Sequence, residues 1–131
     1  MRYMLDTNTV SSLIKKNPAV IKKISSFPME RLCLSVISEG ELLYGLAKKP
    51  NAKSLHVVVK EFLKRVDVLV WDTDVAEHYG TLRAELEGSG SMLGSLDMQI
   101  AAHASQLGAV LVTNDQAFKR VQKLKVEDWT V

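Results

Sequence analysis

Four carboxylates stand where this chain could do chemistry. They are Asp6 in Met4-Leu5-Asp6-Thr7-Asn8, Glu41 in Glu41-Leu42-Leu43-Tyr44-Gly45, Asp97 in Leu96-Asp97-Met98-Gln99-Ile100, and Asp115 in Val112-Thr113-Asn114-Asp115. Each follows a short apolar run of strand character, or opens a helix just beyond one. In an open α/β sheet ligands bind outside the carboxyl ends of the strands, so acids distant in sequence converge there. Convergent carboxylates with no interleaved Lys or Arg repel one another unless a hard cation sits among them. The chemistry suited to such a site is metal-assisted phosphodiester hydrolysis, in which the ion activates water, orients the phosphate and neutralises the leaving oxygen. Oxygen-only ligands fit Mg²⁺ or Mn²⁺ rather than Zn²⁺, and the three His are too dispersed to form a zinc set with the lone Cys33. Glu41 or Asp115, through a water, would position the nucleophile, and no catalytic His is needed.

Each acid also has a local explanation. Asp6 suits a turn with Asn8, Glu41 is the third residue of a capping box begun by Ser38, Asp97 lies in a first helical turn favoured by the macrodipole, and Asp115 suits an N-cap. All four at one sheet edge are harder to accept as separate coincidences than as one site. Asn8, Ser38, Thr113 and Asn114 add hydroxyl and amide groups able to hold carboxylates in place, although local capping and turn roles account for them equally well.

The elements that must position these residues alternate. Arg2 to Leu5 reads as a strand, and the segment after it is polar and then helical. Asn17-Pro18 is a helix start, with an N-cap and then Pro at the first helical position. Leu32 to Val36 is a second strand, after which Ser38 and Glu41 begin a helix carrying Leu42, Leu43 and Leu46. Leu55, Val58, Val59, Phe62, Leu63 and Val66 recur at helical spacing. Val66 to Trp71 reads as a third strand, and Asp72 or Thr73 caps a helix that Gly88 and Gly90 end. Ser95 opens a helix that stops at Gly108, Ala109 to Thr113 is a fourth strand, and Leu124 to Val126 a fifth. Strands separated by helices predict an α/β fold: a single domain over residues 1–131, with a central parallel sheet of about four to five strands and helices on both faces.

Composition bounds the function class without selecting one. With 47% apolar and 24% charged residues the chain is an ordinary globule, and its net charge of +2 argues only weakly for nucleic acid. The bases come in pairs (Lys15-Lys16, Lys22-Lys23, Lys48-Lys49, Lys64-Arg65, Lys119-Arg120), which fits either basic surroundings for an acidic pocket or solvated helix faces. Cys33 lies in an apolar run, as a buried inert thiol does. No leader pattern or membrane-length apolar stretch is present, so a cytoplasmic protein is expected. His103, His56 and His78 read as packed or surface-bonded, and Trp71 and Trp129 as core or rim residues rather than base-stacking platforms. A haloacid-dehalogenase-like phosphatase would need an acid where Asn8 stands, and a response-regulator receiver would need paired acids after the first strand. A non-enzymatic module binding a basic peptide in the acidic pocket is the remaining alternative.

Asp6-Thr7-Asn8, Glu41-Leu42-x-x-Gly45, the run from Gly94 through Asp97 to Ile100-Ala101-Ala102-His103-Ala104, and Val112-Thr113-Asn114-Asp115-x-x-Phe118 together resemble the PIN-domain family. More narrowly they resemble the VapC ribonuclease toxins of bacterial toxin-antitoxin pairs, over nearly the whole chain to Glu127-Asp128-Trp129. Carried over by position, the resemblance implies a PIN-like fold with Asp6, Glu41, Asp97 and Asp115 as the catalytic acids, and Asp6 and Asp97 as direct ligands of Mg²⁺ or Mn²⁺. It also implies an endoribonuclease cutting transfer or ribosomal RNA, a homodimer, and a cognate VapB-like antitoxin whose C-terminal tail carries Arg or Lys into the acidic site. Ser38 stands where many relatives have Thr and keeps the hydroxyl. Ser95-Leu96 is a less typical lead into Asp97.

Overall fold

In the computed structural model, which describes residues 1–131, each short apolar run becomes a strand and each amphipathic segment a helix. The order is β1 (Tyr3–Leu5), α1 (Thr7–Ile14), α2 (Pro18–Ser25), β2 (Leu32–Ser35), α3 (Val36–Ala47), α4 (Lys53–Arg65), β3 (Asp67–Leu69), α5 (Thr73–Gly88), α6 (Ser95–Leu107), β4 (Val110–Val112) and β5 (Val126–Glu127). Single 3-10 turns precede β2 (Met29–Arg31) and follow β4 (Gln116–Arg120). All strand pairings are parallel, in the order β3-β2-β1-β4-β5. This is the predicted α/β architecture.

The period of two along a strand divides the core into two halves. Met4, Cys33 and Leu111 point into one apolar cluster with Leu82 and Leu86 of α5 and Met98, Ile100 and Ala101 of α6. Tyr3, Leu5, Leu32, Leu34, Val110 and Val112 point into the other, with Val10 of α1, Val20 of α2, Leu42 and Leu46 of α3 and Val59 of α4. Helices therefore cover both faces. Trp129 closes the second cluster, stacked on Phe27 with centroids 5.4 Å apart and planes at 11°, which accounts for it as a core residue.

Several boundaries differ from the sequence reading for identifiable reasons. The helix after β1 starts at once, because Asp6 is its N-cap and accepts from the Thr7 amide. The capping box expected at Ser38 is not the start of α3. Ser35, three residues earlier, caps that helix by accepting from the Ile37 amide, so Ser38 and Glu41 already lie on its inward side. The third strand is only Asp67–Leu69, since Val70 is 72% exposed and has left the sheet. The fifth is Val126–Glu127, two residues later than Leu124.

Strand order gives this fold its functional geography. The chain builds outward from β1 through β2 to β3, then returns to place β4 on the other side of β1. That reversal opens a crevice at the carboxyl ends of β1 and β4, the usual place for a ligand in an open α/β sheet. Asp6 and Thr113 are the residues that follow those two strands.

Gly108 ends α6 with φ of +68°, a left-handed cap that leads directly into β4, whereas Gly80 lies mid-helix in α5 with no atom within 4 Å of an added Cβ. Gly108→Ala should lower unfolding free energy by about 1 kcal/mol and Gly80→Ala should raise it by up to about 1 kcal/mol. Urea denaturation of the two variants checks the opposite signs.

Candidate active site

Asp6 is 5% exposed although it is charged in water. Its carboxylate is tied from two sides. Oδ1 accepts from the Thr7 amide at 2.9 Å, and Oδ2 accepts from the Thr113 hydroxyl at 2.8 Å across the β1/β4 crevice. The Thr113 hydroxyl also accepts from the Asp115 amide at 3.1 Å, so a single oxygen organises two of the acids. Thr7 repeats the device on the other flank, where its hydroxyl donates to Glu41 Oε1 at 2.9 Å. Backbone bonds brace the same place: the Asp6 amide and the Thr9 hydroxyl both donate to the Val112 carbonyl, each at 2.9 Å.

Asp115 keeps its local role as well, capping the 3-10 turn by accepting from the Ala117 amide at 2.9 Å. Asp97 sits half-buried in the first turn of α6 and makes no side-chain hydrogen bond. Its Oδ2 lies back toward Gly94, 3.7 Å from where a Cβ on that glycine would stand. A side chain there would narrow the approach to the carboxylate.

The charges interact. Burial raises the Asp6 carboxyl above its ordinary range, the hydrogen bonds from Thr113 and Thr7 oppose that shift, and Glu41 and Asp115 add to it. Burial likewise raises Asp97, reinforced by Asp6 and then by Asp115. Asp6 therefore feels each of the other three acids. No group of three or more His, Cys, Asp and Glu side chains is gathered tightly enough to hold an ion unaided. That geometry still fits Mg²⁺ or Mn²⁺, because Mg²⁺ takes one or two carboxylates and fills its other positions with water and substrate phosphate. All the available donors are oxygens. Ser38, wholly buried one helical turn before Glu41, has a hydroxyl without any partner in the protein, as a site that recruits water would leave it.

Of the supporting residues expected from sequence, Thr113 touches Asp6 directly, whereas Asn8 and Asn114 are exposed and make no side-chain hydrogen bond to the acids. Thr7 is the residue that sequence reasoning passed over. Its signal was available, since the position directly after a strand-end Asp places a hydroxyl at the start of a helix and beside its neighbours. His103 is packed inside, bonded to Ser35, and Trp71 lies edge-on to it at 5.7 Å. A cleft of about 300 Å³ between α1, α3 and α4 runs from Thr7 and Glu41 past Leu42, Leu46 and Leu55 to Lys15, Lys48 and Lys49.

The PIN domain family matches residues 3–124. The tRNA(fMet)-specific endonuclease VapC of Salmonella typhimurium is 39% identical over 130 residues, covering 98% of both chains. Ribonuclease VapC2 of Haemophilus influenzae is 37% identical, again over 98% of both. Among solved structures, VapBC2 of Rickettsia felis bound to a DNA fragment from its promoter superposes with a TM-score of 0.90 at 33% identity, covering 98% of this chain and 99% of that one. DNA-bound VapBC of Salmonella typhimurium gives 0.90 at 39% identity and 98% coverage of each chain. A shared fold, near-complete coverage and identities of 33–39% place this chain in the PIN-domain family, among the VapC ribonucleases.

Proposed function

We propose that this protein is the toxin of a toxin-antitoxin pair, a Mg²⁺- or Mn²⁺-dependent endoribonuclease that acts as one domain over residues 1–131. One observation carries the reading: a carboxylate, Asp6, buried at the β1/β4 switch point, held by Thr113 and electrostatically coupled to Glu41, Asp97 and Asp115. Asp6 and Asp97 would hold the ion. When bound, it supplies Lewis-acid activation of a water and neutralisation of phosphate charge. Thr7 holds Glu41 Oε1, which leaves Oε2 available to a water. Glu41, with Asp115 alongside, takes a proton from the attacking water. The new P–O bond forms from water, the P–O3′ bond breaks, and the 3′-oxygen leaves to be protonated by solvent. Relatives described as tRNA(fMet)-specific endonucleases put transfer RNA ahead of ribosomal RNA as the substrate, whose cleavage would arrest translation.

The partner reading rests on related complexes and on charge. Similar structures are VapBC assemblies. Here the cleft beside Glu41 offers a path for a VapB-like tail, apolar at Leu42, Leu46 and Leu55, basic at Lys15, Lys48 and Lys49, and with the Glu41 carboxylate to receive a guanidinium. A homodimer is proposed on the resemblance alone. No helix is long and apolar enough to cross a membrane, and a cytoplasmic location is proposed with the RNA substrate.

Two measurements test this function. Sequencing of cut ends should find 5′-phosphate and 3′-hydroxyl termini, with cleavage lost on EDTA addition and lowered at least about a hundredfold by Asp97→Asn. Cyclic 2′,3′-phosphate ends would show that the RNA's own 2′-hydroxyl attacks. For the partner, changing every Arg and Lys in the C-terminal tail of the neighbouring antitoxin to Ala should abolish inhibition of RNA cleavage. Undiminished inhibition would remove the acidic site from the account of regulation.

A further inference from the structure

Between β2, α3 and α6 lies a buried polar pair that the reaction above does not use. Ser35 and His103 are 0% and 1% exposed, with Ser35 Oγ and His103 Nδ1 separated by 2.8 Å. Ser35 ends β2 and caps α3, accepting from the Ile37 amide at 3.1 Å. Burial drives the His103 ring below its ordinary range against the opposing pull of Asp72 and of the Val70 carbonyl, its other hydrogen-bond partner, and so keeps it neutral. A neutral imidazole has one donor and one acceptor nitrogen. A carbonyl can only accept, so the ring N–H is directed at Val70 and Nδ1 accepts the Ser35 proton. Every polar group of the pair is then satisfied, and the edge of Trp71 seals the ring at 5.7 Å.

The placement of the pair matters more than its strength. His103 lies on α6 beyond Asp97, and Ser35 begins α3, which carries Ser38 and Glu41. It is the one side-chain hydrogen bond that joins α6 to the β2–α3 junction. Asp97 has no hydrogen bond of its own, so its position depends on the pose of its helix.

We propose that Ser35 and His103 are positioning residues for the acidic site: their hydrogen bond sets the Asp97 helix against the Glu41 helix, so that Asp97 can reach the ion while Glu41 stays beside the attacking water. This rests on the metal-dependent reading of the site. Without the bond, α6 would be set against α3 by apolar packing alone, which fixes its pose less sharply, and small displacements of reacting groups have large effects on rate.

The test compares the parent with Ser35→Ala, His103→Phe, His103→Gln and the Ser35→Ala/His103→Phe double variant. It measures kcat and KM for RNA cleavage, Mn²⁺ affinity by electron paramagnetic resonance, and thermal melting. Ser35→Ala and His103→Phe should each lower kcat and Mn²⁺ affinity by about tenfold with KM nearly constant. The double variant should be no worse than the poorer single, since both remove one shared interaction. His103→Gln, whose amide can accept from Ser35 and donate to Val70, should recover most of both losses. Losses that multiply, or variants that melt earlier yet match the parent in kcat and Mn²⁺ affinity when folded, would overturn the proposal and leave the pair purely structural. Should His103→Phe not fold, Ser35→Ala and His103→Gln decide it on the same two readouts. A parent that shows no metal-stimulated cleavage would instead reject the proposed function, a distinct outcome.

Discussion

The carboxylate of Asp6 lies out of water at the point where the strand order of the parallel sheet reverses, and much of the surrounding architecture serves to make that placement tolerable. A buried carboxylate is stable only when its oxygens are bonded, and here the Thr113 hydroxyl and the Thr7 amide each take one. Both threonines in turn hold a second acid in place, Asp115 through its amide and Glu41 through its carboxylate. The strand-end hydroxyls thereby set the spacing of the acids. Removing Thr113 would leave Asp6 with one of its two bonds and free the Asp115 loop at the same time.

The arrangement is unfavourable in the absence of a cation. Asp6 and Asp97 both titrate above the ordinary aspartate range, from burial first and from their acidic neighbours next. A raised folded-state value means that protonation stabilises the metal-free fold fully below the ordinary value of about 3.9. That stabilisation is lost as pH rises through the raised values, so at neutral pH the ionised site opposes folding. A divalent ion bound there would reverse the sign of the effect by mass action on the folded state. The same field that disfavours the apo site favours a cation, and it favours a guanidinium for the same reason. Under the proposed function, catalysis and inhibition by a basic tail would thus draw on one electrostatic feature.

Much of this was legible in the sequence, because strand ends and helix starts carry short-range signals. Asp6 after Met4-Leu5 and Asp115 after Val112-Thr113 could be placed at one sheet edge from hydrophobic runs alone. The alternation of elements predicted a parallel sheet, although not the order β3-β2-β1-β4-β5, which depends on long-range pairing. Helix α3 shows where local reasoning stops. Ser38 and Glu41 have capping-box spacing, yet Ser35 caps the helix, because β2 runs straight into α3 with no intervening turn. For Thr7 the sequence signals a hydroxyl at a helix start but not its partner, and for Ser35 neither: each acts on a residue remote in sequence, Glu41 and His103, and no periodicity reports such a contact.

Proximity couples these carboxylates, and a divalent cation would relieve them. The most direct measurement is a carboxyl ¹³C NMR titration of Asp6 and Asp97, with EDTA and with saturating Mg²⁺. The account predicts that both titrate above the ordinary aspartate value without metal, that Asp115→Asn lowers both, and that Mg²⁺ drives both below it. Ordinary metal-free titration of both groups, unmoved by Asp115→Asn and by Mg²⁺, would contradict it.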